Sequence, residues 1–234
     1  MASLLDSIAA VEQGNALAGY RNQLMCYYKL NDASGNPVDT LGNGPALTAS
    51  GSLSYQQALS NGLSGIKLQT TGGSDYLNTT TVAKLRPNRQ MTCSFWFDDD
   101  GGGANGGAFL HWGTNSSNRF LPSSHADTRL YVFDGAARYM PAAAIFDNAA
   151  HHVVFVIDGT TYSSWVNGVY HGSVGGGAKY WEGFSNFSVA AQVGTATTGQ
   201  QGIYSELSLW QGILSPAAIV QLYNSGTGAD PRGI

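Results

Sequence analysis

Residues 151–168, His151-His152-Val153-Val154-Phe155-Val156-Ile157-Asp158-Gly159-Thr160-Thr161-Tyr162-Ser163-Ser164-Trp165-Val166-Asn167-Gly168, read as two β-strands and the turns that end them. Residues 152–158 form a first strand-like run and 162–166 a second. Asp158-Gly159-Thr160 and Asn167-Gly168 are hairpin turns, because Gly and Asn tolerate the positive φ that such turns demand. Working outward, further strand-like runs fall at 24–30, 66–70, 91–97, 108–112, 129–133, 186–191 and 204–210, separated by Gly-rich or Asx-rich turns. Regular spacing of short strands is the signature of a sandwich or jelly roll, not of alternating βαβ units.

The composition agrees. Charged residues make up 11 % of the 234, against roughly 25 % in an average soluble domain. Hydrophobic residues reach 43 % and glycines number 31, which supplies a core and many tight turns. A net charge of −4, with no run of Lys and Arg, excludes nucleic acid as a partner, since phosphate neutralisation dominates that binding. No stretch approaches the ~20 apolar residues a membrane-spanning helix needs. The N-terminus has no basic segment followed by an apolar one, so no secretion signal is expected there. Cys26 and Cys93 each sit inside an apolar run and read as buried, reduced thiols, with a disulfide between neighbouring strands as the alternative.

Two segments carry a helical pattern. Ser3 and Asp6 form a capping pattern, after which Leu4, Leu5, Ile8 and Val11 share one face until Gly14. Such a short helix is not stable alone in water, so its stripe must be covered. Near the C-terminus Ser215 caps a helix that starts at Pro216 and runs to about Asn224, with Ile219, Leu222 and Tyr223 on the face expected over an end of the sandwich. The expected division is an N-terminal arm over 1–22, a sandwich over 23–228 and a tail over 229–234.

In order and spacing these segments resemble the laminin G-like jelly rolls of the concanavalin A-like lectin/glucanase superfamily. Tyr27-Tyr28-Lys29-Leu30-Asn31-Asp32 is similar to the opening strand and its turn. Residues 91–97 resemble the strand that carries a buried Trp, here Trp96. Residues 151–159 are similar to the family's "Trp-His-hydrophobic…Asp-Gly" strand, with Ala150 where Trp is usual. Trp165-Val166-Asn167-Gly168 resembles its "Tyr-Val-Asn-Gly" hairpin, and 202–215 the closing strand. The resemblance covers residues 24–226 and implies an all-β, two-sheet antiparallel jelly roll. It implies little about function, because this fold carries lectins, hydrolases, lyases and adhesion modules.

Catalysis finds no support in the residues. Glucanases of this superfamily place two Glu around an Asp on one strand, whereas Glu12, Glu182 and Glu206 have no acidic neighbour two residues away. Glu206, on the closing strand, reads as structural or solvent-facing. His151 and His152 are adjacent and so point to opposite faces of a strand; one is expected to be buried and one exposed. His111, His125 and His171 show no ligand-like spacing to Asp or Glu, and no Gly-x-Ser-x-Gly elbow exists. Asp98 and Asp100 before Gly101, with Asn105, are hard oxygen donors of the kind that hold Ca²⁺, weighed against a solvated acidic loop. Many members of the family bind Ca²⁺, but the common ligand on the closing strand is replaced here by Ser205. Tyr131, Tyr139, Tyr162, Tyr180 and Trp181 are candidates for stacking on sugars, against a core role for each.

The reading taken first is a non-catalytic structural or adhesive module of a phage virion, a head-decoration or tail-associated protein. It is assembled with sister or other virion chains through Leu4, Leu5, Ile8 and Val11 and displayed on the virion surface. The alternative is a carbohydrate-binding lectin domain, extracellular and Ca²⁺-dependent; a polysaccharide hydrolase or lyase comes last. No cofactor other than Ca²⁺ is called for.

Overall fold

The period-two runs pair into two antiparallel sheets in the computed structural model, which describes residues 16–69, 75–83, 85, 90–101, 106–114, 119–177, 184–191 and 199–232. The strands are β1 (Leu24–Tyr28), β2 (Thr48–Ser50), β3 (Ser54–Ala58), β4 (Ser64–Leu68), β5 (Tyr76–Thr79), β6 (Gln90–Asp98), β7 (Leu110–Gly113) and β8 (Arg119–Ser124). They continue with β9 (Arg129–Phe133), β10 (Ala137–Ala142), β11 (His151–Asp158), β12 (Thr161–Val166), β13 (Val169–Gly175), β14 (Asn186–Val189) and β15 (Gly202–Trp210). One sheet runs β13-β12-β11-β6-β15-β4-β3, with β1 also against β15; the other runs β10-β9-β8-β7-β14-β5-β2. This is the jelly-roll sandwich that the residues and the resemblance both implied.

Side-chain alternation sorts the strands into layers. On β11, Val153, Phe155 and Ile157 enter the core between the sheets, while Val154 and Val156 face the opposite way. Both faces are covered, so the run is apolar at nearly every position instead of alternating. The cover on the second face is the helix α1 (Pro216–Tyr223), whose Ala218, Ile219 and Leu222 are buried against Leu24, Tyr27, Val154 and Trp210. Ser215 Oγ accepts from the Ala218 amide and Pro216 takes the first turn, as the sequence indicated. The helix therefore lies on the outer face of the eight-stranded sheet, not over an end of the sandwich. Its apolar face matches a sheet face that would otherwise be wet.

Trp96 is buried, but in this outer layer. It stacks on Tyr223 of α1 with ring centroids 5.9 Å apart and packs with Leu59 and Ile203. The hairpin turn Asn167-Gly168 has positive φ at both residues (52° and 75°), the geometry that matches the twist of the flanking strands. β15 is interrupted at Glu206, which adopts a φ of 54° where the pairing register shifts. On one side of that bulge β15 pairs with β4, on the other with β1, so a single strand edge serves two partners. Cys26 and Cys93 are buried free thiols.

The N-terminal boundary differs from the one expected. A 3-10 helix over Ala16–Gln23 packs on α1: Leu17 is fully buried, its amide donates to Gln221 Oε1, and Tyr20 Oη accepts from the Ser215 amide. Residues 16–22 are thus part of the sandwich's own outer layer, because Leu17 supplies an apolar group that α1 needs. Leu4, Leu5, Ile8 and Val11 lie outside the described residues. At the other end, the Ala229 amide donates to Leu222 O and Pro231 is buried, so residues 229–232 also pack on the body.

Candidate functional site

The alternation Arg129-Leu130-Tyr131-Val132-Phe133 puts Leu130 and Val132 in the core and turns Arg129, Tyr131 and Phe133 outward. The neighbouring strands follow the same register. Tyr131 lies opposite Ser123 on β8 and Tyr139 on β10, and Phe133 lies opposite Leu121 and Ala137. Phe120 is a core residue, so Arg119 and Leu121 face outward with them. The outer face of the seven-stranded sheet thereby carries a floor of Tyr139, Tyr131 and Phe133. Tyr139 is 38 % exposed, an unusual position for a large aromatic in a chain whose other big rings are mostly buried.

Cations bracket that floor. At one end Arg129 lies over the Tyr139 ring, 4.2 Å from its centroid, and His125 meets Tyr139 edge-on at 5.2 Å. Tyr131 and Tyr139 are 5.4 Å apart. The turn between β8 and β9 builds this end: Thr128 takes a φ of 69°, and the His125 amide donates to Arg129 O. Asp127 at the tip holds both side chains, with Arg129 Nε donating to Oδ2 at 2.8 Å and His125 Nδ1 lying 2.7 Å from Oδ1. The hydrogen bond from Arg129 holds the Asp127 carboxyl well below the usual carboxylate range, and the same bond raises Arg129. At the other end Arg119 lies over Phe133 at 4.5 Å. Burial lowers the Arg119 guanidinium, and burial with Arg119 alongside pushes His111 down to about 3, so His111 is neutral.

The remaining candidates fall elsewhere. Tyr162 is a core residue whose hydroxyl donates to Asp134 Oδ2 and Gly177 O; it does not face solvent, because β12 turns it inward. Tyr180 and Trp181 lie outside the described residues. His151 and His152 point to opposite faces as expected, but both are buried. His152 hydrogen-bonds Ser94 Oγ at 2.7 Å, and His151 is held by Asp147 and Asn167. The expectation of one exposed imidazole fails because α1 roofs one face, while Asp147 and Asn167 reach over the other.

Glu206 is also on the outer face of the eight-stranded sheet, remote from the aromatic floor. Its carboxylate accepts from Tyr27 Oη, and burial raises its pKa. Asp98 accepts from the amides of Ser60 and Asp100, and Asp100 pairs with Lys67. Asn105 lies outside the described residues. Among the described residues no group of three or more His, Cys, Asp or Glu is gathered as a metal site. A separate open cleft of about 610 Å³ lies between α1 and the β12–β13 hairpin, lined by Val169, Val220 and Tyr223 and by no charged side chain.

The sequence reading named Tyr131 and Tyr139 but missed Arg119, His125, Arg129 and Phe133. The signal was present in the period-two pattern of 129–133, which alone sets Arg129, Tyr131 and Phe133 on one face. What it lacked was the partner strands, which come from β8 and β10 and carry no apolar run of their own.

A family model described as the concanavalin A-like lectin/glucanases superfamily, of laminin G type, matches residues 71–220. A comparison with curated proteins finds no match. Among solved structures, domain 4 of AbnA, a GH43 extracellular arabinanase from Geobacillus stearothermophilus in complex with arabinotriose, is similar with a TM-score of 0.66 at 16 % identity, over 85 % of this chain and 97 % of the domain. A botulinum neurotoxin type C structure, described with cell entry dependent on two ganglioside molecules, has a TM-score of 0.63 at 10 % identity, over 89 % of this chain and 52 % of that one. Trypanosoma rangeli sialidase has a TM-score of 0.63 at 13 % identity, over 97 % of this chain and 40 % of that one. The chain thus spans about half or less of the last two, and at these identities the likeness is one of fold. With a family match over well over half its length and two antiparallel sheets packed as a sandwich, the chain belongs to the concanavalin A-like lectin/glucanases superfamily.

Proposed function

We propose that the chain is a non-catalytic carbohydrate-binding module that holds its ligand on the outer face of the seven-stranded sheet. The observation that carries this reading is the floor of Tyr131, Tyr139 and Phe133, flanked by Arg129 with His125 at one end and Arg119 at the other. Aromatic faces supply apolar area for the C–H faces of a sugar ring, and flanking polar groups fix hydroxyl positions. The arabinanase domain solved with arabinotriose supports the reading by its fold, as does the neurotoxin structure associated with gangliosides. Glu206, bonded to Tyr27 on the opposite sheet, is far from this floor, which favours binding over hydrolysis.

The test is glycan-array screening followed by calorimetry on the best oligosaccharide. Tyr139→Ala and Tyr131→Ala should each lower affinity roughly 2- to 10-fold, the contribution of one stacking contact. Val220→Ser, in the cleft beside α1, should leave affinity unchanged. Binding that is lost with Val220→Ser and kept with Tyr139→Ala would move the site to that cleft and refute this reading. Turnover of a bound polysaccharide would refute the non-catalytic part. An assembly contact through Leu4, Leu5, Ile8 and Val11, and with it a place on a virion surface, rests on the sequence alone.

A further inference from the structure

The two cationic ends of the floor are not equivalent. Arg129 is neutralised: Asp127 accepts from its Nε, its Nη2 and its backbone amide. Arg138, on the neighbouring strand, is likewise paired with Asp134. Arg119 forms no ion pair among the described residues. Its Nε is buried and meets no hydrogen-bond acceptor among them. The guanidinium is held over Phe133 at 4.5 Å, and the adjacent His111 is neutral and adds no competing charge. A half-buried guanidinium with no carboxylate among the described residues is a poised anion site, because a desolvated charge is normally paired.

We propose that Arg119 is the anion-recognising end of the site, so that the preferred ligand is an acidic glycan whose carboxylate docks on Arg119, seated over Phe133, while a neighbouring ring lies over Tyr131. This inference rests on the proposed carbohydrate-binding role and names its substrate class. Carboxylate is the better match to the geometry than an isolated point charge, since the planar guanidinium offers two parallel N–H donors to a planar two-oxygen acceptor. Arg129 cannot do the same work without giving up Asp127.

The experiment compares uronic-acid- and sialic-acid-terminated oligosaccharides, each beside its carboxyl-reduced neutral form, with a sulfated oligosaccharide as a third arm. The wild-type protein should bind the carboxylated form roughly 10- to 100-fold more tightly than its neutral counterpart, the range for a charge-assisted hydrogen-bonded contact. Arg119→Gln should remove that preference, so that the carboxylated and neutral forms bind the variant equally, and a urea melt matching the wild type's shows that the variant is folded. Arg119→Lys should restore only part of it, because the paired donors are lost. A sulfated ligand that outcompetes the carboxylated one would overturn the carboxylate assignment. Equal affinity for acidic and neutral forms, with Tyr139 still required, would overturn this inference and leave the carbohydrate-binding role standing. Failure to bind any of these glycans would overturn both.

Discussion

Acidification should destabilise this fold through His152 and His111, and the amount follows from their burial. His152 is 2 % exposed, clustered with Trp96 at 5.3 Å and Tyr223 at 6.3 Å, with Ser94 Oγ on its Nε2. Burial pushes its pKa down to about 3 from an ordinary 6.5, and His111 to a similar value. Well above pH 6.5 both rings are neutral whether the chain is folded or not, and they contribute no pH dependence. As pH falls below 6.5 the unfolded chain takes up protons that the folded chain refuses, so stability is lost down to about pH 3. Between pH 7 and pH 5 the loss is about 2 kcal/mol for each histidine, set by the unfolded pKa and insensitive to how far below 4 the folded one lies. Glu206 acts in the opposite sense, since its raised pKa lets the folded state take up a proton first. Urea titrations at pH 7 and pH 5 measure the total. His152→Gln isolates one part: it keeps a hydrogen-bonding group for Ser94 and cannot ionise, so its loss between the two pH values should be about 2 kcal/mol smaller than the wild type's. The Glu206 contribution is common to both proteins and cancels. Equal losses in variant and wild type would show that His152 is protonated in the folded state and would refute the reasoning.

Trp96→Ala should cost about 3–5 kcal/mol in urea denaturation, because it removes the ring on which Tyr223 stacks and opens the layer between β6 and α1; a cost below ~1 kcal/mol would contradict the packing. Deleting residues 1–22 should lower stability by about 2–5 kcal/mol through loss of the buried Leu17, and Leu17→Ala in the full chain should reproduce most of that drop; an unchanged melt would mean that Ala16–Gln23 is dispensable. Calcium held by Asp98, Asp100 and Asn105 would have to raise the Tm, by mass action on the native state. With Asp98 accepting two amides and Asp100 paired to Lys67, coincident melting curves in Ca²⁺ and in chelator are the expected result, and a Ca²⁺-dependent rise lost in Asp98→Ala/Asp100→Ala would reverse it.

Local chemistry was legible in the sequence wherever a residue's own conformational limits or a continuous apolar run dictated the outcome. Asn167-Gly168 specified a hairpin because few other residues accept positive φ twice in succession. Ser215-Pro216 specified a helix start because one side chain accepts the free amide and the other lacks one. Residues 152–158 read as a strand from their continuous apolar run, and a run apolar on both faces needs cover on both. Six strands stayed hidden: β2, β3, β5, β8, β10 and β13. Four of these, β2, β3, β10 and β13, are sheet edges, where one flank stays unpaired and polar or Gly-containing segments such as Ser54–Ala58 leave no apolar signal. Only the tertiary structure decided what lay over the strands. It set α1 and Leu17 on the eight-stranded sheet, which buried His152 and turned 16–22 from a free arm into part of the core layer. It also brought Arg119, Tyr131, Phe133 and Tyr139 from three strands into one face. Cross-strand register determines such a juxtaposition, and register depends on pairing between segments that the linear order keeps apart.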